Sequence, residues 1–92
     1  MNNPAPNLYS ELKKIPSHIA FGSVRLKVIR NFFLRYPNAR VPVDCANCEL
    51  LETAIRGIQT KSDRAVRRLI QEGFLTTKRD PSFHNLKFLV HK

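Results

Sequence analysis

The stretch Lys61-Ser62-Asp63-Arg64-Ala65-Val66-Arg67-Arg68-Leu69-Ile70-Gln71-Glu72-Gly73-Phe74-Leu75-Thr76-Thr77-Lys78-Arg79 changes its periodicity at a single glycine. Before Gly73, a step of about 100° per residue puts Ser62, Ala65, Val66, Leu69 and Ile70 on one face. Lys61, Arg64, Arg67, Arg68 and Gln71 fall on the other. The pattern predicts an amphipathic helix over residues 61–72, begun after Thr60, or after Ser62 if that hydroxyl caps. Asp63 is spaced to order Arg67 one turn on. Beyond the glycine, residues 74–78 and 86–91 read as two strands. Residues 79–85 join them as a polar loop carrying Asp80, Pro81 and Asn85. A basic helix thus runs straight into a basic β-hairpin. One side of the helix can pack on a core, while the other offers guanidiniums for phosphates or guanine edges and an amide for adenine.

Upstream, Gly57-Ile58-Gln59-Thr60 is a turn, preceded by a predicted helix over residues 48–57 capped by Asp44 or Asn47. Residues 40–43, Arg40-Val41-Pro42-Val43, form a short strand whose proline confines it to an edge. A longer helix is expected over residues 24–36, with Ser23 as its cap. Val28, Ile29, Phe32, Phe33 and Tyr36 face the core, and Lys27, Arg30 and Asn31 lie opposite. Arg25 falls within the apolar sector and is expected to snorkel outward. Residues 17–22 read as extended or irregular. A first short helix is capped by Asn7 and runs to about Ile15, with Leu8, Leu12 and Ile15 on one stripe.

The chain has 92 residues, the length of one small domain. Its 42% hydrophobic and 25% charged residues describe a folding chain rather than a disordered one. Sixteen Lys and Arg stand against seven Asp and Glu, a net charge of +9. A field of that sign attracts polyanions, nucleic acid first. No apolar run approaches the ~20 residues of a membrane span. Residues 1–7 show no signal-peptide pattern, so the expected location is cytoplasmic and nucleoid-associated.

With these residues in place, the chain resembles the winged helix-turn-helix DNA-binding domains of bacterial and phage regulators. Leu50-Leu51-Glu52-Thr53-Ala54-Ile55-Arg56-Gly57-Ile58 is similar to the first helix and turn. Residues 59–75 look like the recognition helix and its exit, above all Arg68-Leu69-Ile70-Gln71-Glu72-Gly73-Phe74-Leu75. The resemblance covers about residues 23–91. It departs from the usual pattern where Ser62 or Asp63 stands at the start of the helix's buried face. The fold it implies is α+β: a three-helix core, a C-terminal β-hairpin wing and an added short N-terminal helix. The domain would span residues 17–92, with residues 1–16 as tail and short helix. The implied partner is double-stranded DNA, with the second helix of the pair in the major groove. Mapped onto this chain, that puts Gln59, Thr60, Lys61, Ser62, Arg64, Arg67 and Arg68 at the DNA, with Arg64 reading guanine. Lys78, Arg79, His84 and Lys87 would lie in or beside the wing, on the adjacent minor groove or backbone. Lys13, Lys14, Lys27, Arg30, Arg35 and Arg40 read as ordinary surface. The Leu8–Ile15 stripe is available to a homodimer or protein partner, or to its own domain.

Cys45-Ala46-Asn47-Cys48 is a C-x-x-C without a second cysteine pair, and His18, His84 and His91 have no H-x₃₋₅-H spacing. No metal or cofactor is expected. No nucleophile motif, glycine-rich phosphate loop or carboxylate pair supports an enzyme. Three other readings remain at this point. They are a protein-interaction module on the same fold, an RNA-binding or replication-accessory protein, and a thiol or metal sensor using Cys45 and Cys48.

Overall fold

The computed structural model describes residues 7–16, 21–44, 58–83 and 85–92. Among these, the chain is α+β, with helices α1 (Leu8–Lys13), α2 (Phe21–Arg35) and α3 (Arg64–Gln71). The strands are β1 (Arg40–Val43), β2 (Leu75–Asp80) and β3 (Leu86–His91), with a 3₁₀ turn over Pro81–Phe83. The helix expected over residues 48–57, and Cys45, Cys48, His18 and His84, lie outside the described residues.

Helix α2 supplies the centre of the core. Ile29, Phe32 and Phe33 are at most 1% exposed, and the two phenylalanine rings meet edge to face at 5.3 Å. The helix begins earlier than expected, at Phe21, so Ser23 sits in its first turn rather than capping it. Serine within a helix costs only about 0.5 kcal/mol against alanine, too little to stop a helix that tertiary packing holds. Tyr36 falls just past the helix end and is part exposed.

Helix α1 packs against α2. Asn7 caps it, its side-chain oxygen accepting from the Tyr9 and Ser10 amides, but the helix ends at Lys13 rather than near Ile15. Leu8 and Tyr9 are buried in the same core cluster as Phe32 and Leu69. The Tyr9 hydroxyl donates to the Pro42 carbonyl and accepts from the Ile58 amide at 3.2 Å. One buried phenol therefore ties α1 to β1 and to the approach to α3.

The three strands form one antiparallel sheet in the order β1-β3-β2. Strand β1 lies at an edge, which suits Pro42, a residue with no amide to donate. Val41, Val43, Leu75 and Leu89 alternate onto the face covered by the helices. Phe74 packs on that core from its margin. Phe88 is also buried, but it points to the other face, under the Arg40 guanidinium at 4.8 Å and edge to face with Phe83. The hairpin is longer than the sequence suggested, since β2 runs through Asp80 and makes Arg79 a strand residue. Asp80 then opens the turn by accepting from the Ser82 amide and hydroxyl, and Asn85, at φ 56°, closes it. The Ser82 hydroxyl, then the Arg40 guanidinium, hold the Asp80 carboxyl below its ordinary range.

Helix α3 is 8 residues long, shorter than the periodicity predicted, and its cap is Asp63. Lys61 and Ser62 belong to the preceding turn, closed by the Ser62 and Asp63 amides on the Gln59 carbonyl. Neither expected hydroxyl cap forms: Ser62 Oγ donates to the Gln59 carbonyl at 3.4 Å, and Thr60 Oγ1 donates to Asp44. One oxygen of Asp63 accepts from the Val66 amide at 3.2 Å. The other accepts from Arg25 Nε at 3.0 Å and an Arg25 terminal nitrogen at 2.7 Å. Asp63 thus orders Arg25 of α2 rather than Arg67, and Arg25 turns toward α3 instead of outward. A side-chain cap contributes about 1 kcal/mol. Here the same carboxylate also fixes α3 against α2. Gly73, at φ +80°, takes the left-handed position after the helix and turns the chain into β2.

Candidate nucleic-acid interface

On α3, Val66 and Leu69 are fully buried and Ala65 nearly so, while Arg64, Arg67, Arg68 and Gln71 are exposed. Burial of one stripe rotates the opposite stripe to solvent, because both follow the same helical repeat. The exposed face carries three guanidiniums and one amide. Arg68 Nε pairs with Glu72 at 3.0 Å, one turn on. Both groups are half or more exposed, so the pair is weak and easily exchanged for another anion.

Two concavities flank this face. One, about 390 Å³, is lined by Arg64, Arg67, Arg68 and Gln71 of α3 and by Glu72 just past its end. The other, about 500 Å³, lies between α2 and α3 and brings Lys27 and Arg30 opposite Arg64 and Arg68. Among the described residues, no carboxylate pairs with Lys27, Arg30, Arg64 or Arg67. The acids pair elsewhere: Glu11 with Arg35, Asp63 with Arg25, Asp80 with Arg40 and Asp44 with Lys87. Among the described residues, Lys27, Arg30 and Arg64 thus line one cleft without an acidic partner. Like charges so close repel one another, and a polyanion laid across them relieves that repulsion.

The residues expected at the interface divide into three groups. Lys61, Arg64, Arg67 and Arg68 are exposed, as are Gln59 and Ser62 in the turn before α3. Lys78 and Arg79 are exposed on β2, with the Arg79 guanidinium donating to the Asn85 carbonyl across the hairpin. Thr60, by contrast, is buried, and Lys87 is half-buried and paired. Thr60 is 7% exposed, its amide and hydroxyl both donating to Asp44 at 2.8 Å. Lys87 stands in β3, opposite Val43 and Arg79, with its ammonium 3.1 Å from Asp44. His84 lies outside the described residues.

Asp44 is the hub that holds both. It sits at φ 60°, a left-handed position that Asp and Asn occupy more readily than most residues. Its amide donates to the Ile58 carbonyl at 2.9 Å. Burial pushes its carboxyl up, but the Thr60 amide and hydroxyl and the Lys87 ammonium outweigh this and hold it below the usual value. A lowered carboxyl contributes its stability above the unfolded pKa of about 4 and loses it as pH falls through the folded value. An Asp44→Asn variant keeps the backbone preference and loses the charge. Because Asp44 is exposed and its charge interactions are screened by solvent, the variant is expected to be less stable than the parent by only about 0.5–1 kcal/mol at pH 7. The gap should narrow as pH falls from about 7 to about 3, because the folded carboxyl takes up its proton in acid. Thermal unfolding at the two pH values checks this, and a gap that stayed undiminished in acid would remove the charge from the account.

Sequence pattern casts Asp44 as a helix cap, Asp63 as a partner of Arg67, and Lys27 and Arg30 as ordinary surface, without the tertiary partners of the first two or the neighbouring helix of the last two. The last two had one visible signal, an i,i+3 basic pair opposite the α2 core stripe. Nothing in that spacing says which element the pair faces. Among the described residues, no three His, Cys, Asp or Glu side chains gather into a metal site, and no helix is long and apolar enough to cross a membrane. No family model matches the chain, and no curated protein or solved structure matches it either.

Proposed function

We propose that this chain is a winged helix-turn-helix domain that binds double-stranded DNA and serves in transcriptional regulation. The observation that carries the reading is α3 itself. Its apolar stripe is sealed in the core, while Arg64, Arg67, Arg68 and Gln71 stand together on an open surface. A helix of that build suits the major groove, where guanidiniums reach guanine edges or phosphates and an amide reaches adenine. Arg64, in the first helical turn and outward, is the base reader. Arg67 and Arg68 hold the flanking backbone, and Lys61 and the Gln59 and Ser62 turn approach it at the helix start. The exposed Lys78 and Arg79 make the wing a second contact. The order α2, β1, α3, β2, β3, with the sheet closed by the hairpin, supports the same reading.

The test is fluorescence anisotropy of a labelled random duplex titrated with the full chain. Binding at low salt should be evident, and its affinity should fall steeply as salt rises and competes for the phosphates. Absence of binding at low salt would overturn the DNA reading and favour a protein-interaction module on this fold.

A further inference from the structure

We infer that the cleft between α2 and α3 is a phosphate seat for one strand of duplex DNA, with Lys27 and Arg30 as contacts beyond the α3 face. The inference rests on the DNA reading above and extends its footprint to a second helix. Lys27 and Arg30 are neighbours one turn apart on the exposed side of α2. They line the cleft together with Arg64 and Arg68 of α3, also one turn apart. Four cations thus face one carboxylate, that of Glu72. Glu72 is itself paired to Arg68, which leaves Lys27, Arg30 and Arg64 without an acidic partner among the described residues.

The lining also has an apolar part, the half-buried Leu26 and the buried Ala65. A sugar-phosphate strand offers both chemistries, charged oxygens for the walls and deoxyribose carbons for the floor. A free inorganic anion offers only the first. The Arg25–Asp63 pair and the core shared by Ile29, Phe33, Val66 and Leu69 join α2 to α3, so the two walls meet a strand as one preset surface. Arg64 and Arg68 line both this cleft and the neighbouring concavity, whereas Arg67 and Gln71 line only the latter.

The experiment is the salt dependence of duplex binding by Lys27→Ala/Arg30→Ala in the full chain. Lys13→Ala/Lys14→Ala, at the C-terminal end of α1, removes the same charge as a control. Each phosphate contact adds about 0.9 to the slope of log affinity against log salt. The cleft variant should lower the slope by about 1.8 and weaken binding at about 0.05 M salt by tenfold or more. The control should change the slope by much less. All four residues are exposed, so the thermal transitions should match the parent's. If the parent binds duplex and the cleft variant keeps its slope, or loses no more than the control, the inference fails and the DNA reading stands. If the parent binds no duplex at all, the DNA reading fails first.

Discussion

An Arg64→Ala/Arg67→Ala/Arg68→Ala variant is expected to lose about 10²–10³-fold in duplex affinity near 0.1 M salt while unfolding within a few degrees of the parent. The affinity figure follows from three lost phosphate or base contacts at about 0.9 in the salt slope for each. The small stability change follows from where the side chains lie. All three are exposed, and the one ion pair removed, Arg68 with Glu72, is a surface pair worth well under 1 kcal/mol. Alanine is also a better helix former than arginine, and removing charge from a +9 chain eases its self-repulsion. Anisotropy titrations and thermal melts on the same preparations read the two quantities separately. Normal binding by the triple variant would show that α3 is not the helix that meets DNA.

The second large effect is on the fold. Phe32→Ala should destabilise by about 3–5 kcal/mol, because it removes a large fully buried ring and leaves a cavity that α2 cannot close. Phe32 is 1% exposed and touches both the Phe33 ring and the Tyr36 ring at 5.3 Å. A domain of this length has total stability of only about 5–14 kcal/mol. The melting midpoint should therefore fall by about 15–30 °C. Should the alanine variant not fold, Phe32→Leu keeps most of the volume and should show a smaller fall. An unchanged midpoint for either would mean that α2 does not centre the core. DNA affinity at low temperature should be retained by whatever fraction stays folded, which separates this variant from the arginine triple.

Local pattern carried much of the architecture. Strand β1 occupies residues 40–43 as its valines and proline foretold, and β3 occupies residues 86–91. Alternation and proline's missing amide are properties of a few neighbouring residues, so no tertiary knowledge is needed to read them. The buried stripe of α3 was legible for the same reason, and so was the stop at Gly73. Helix starts were less legible. Ser23, Thr60 and Ser62 all have the chemistry of a cap, but chemistry does not choose among competing bonds. Thr60 and Ser62 had other acceptors within reach, and α2 was already running when the chain arrived at Ser23.

The candidate interface divides along the same line. Sequence alone determined that one short helix would bury Val66 and Leu69 and turn Arg64, Arg67 and Arg68 outward, because a single helical repeat sets both faces. It also determined the excess of cations that makes an anionic partner the expectation. Only the tertiary structure decided which polar residues remain at the surface. Asp63 meets Arg25 across 38 residues and Asp44 meets Thr60 across 16, while Lys87 closes on Asp44 from another strand. Those meetings engage Thr60 and Lys87, and the packing of α2 on α3 brings Lys27 and Arg30 beside Arg64 and Arg68. Periodicity fixes the direction of a side chain relative to its own element. What stands opposite depends on how separate elements pack, and that is settled when the core closes around Phe32 and Leu69.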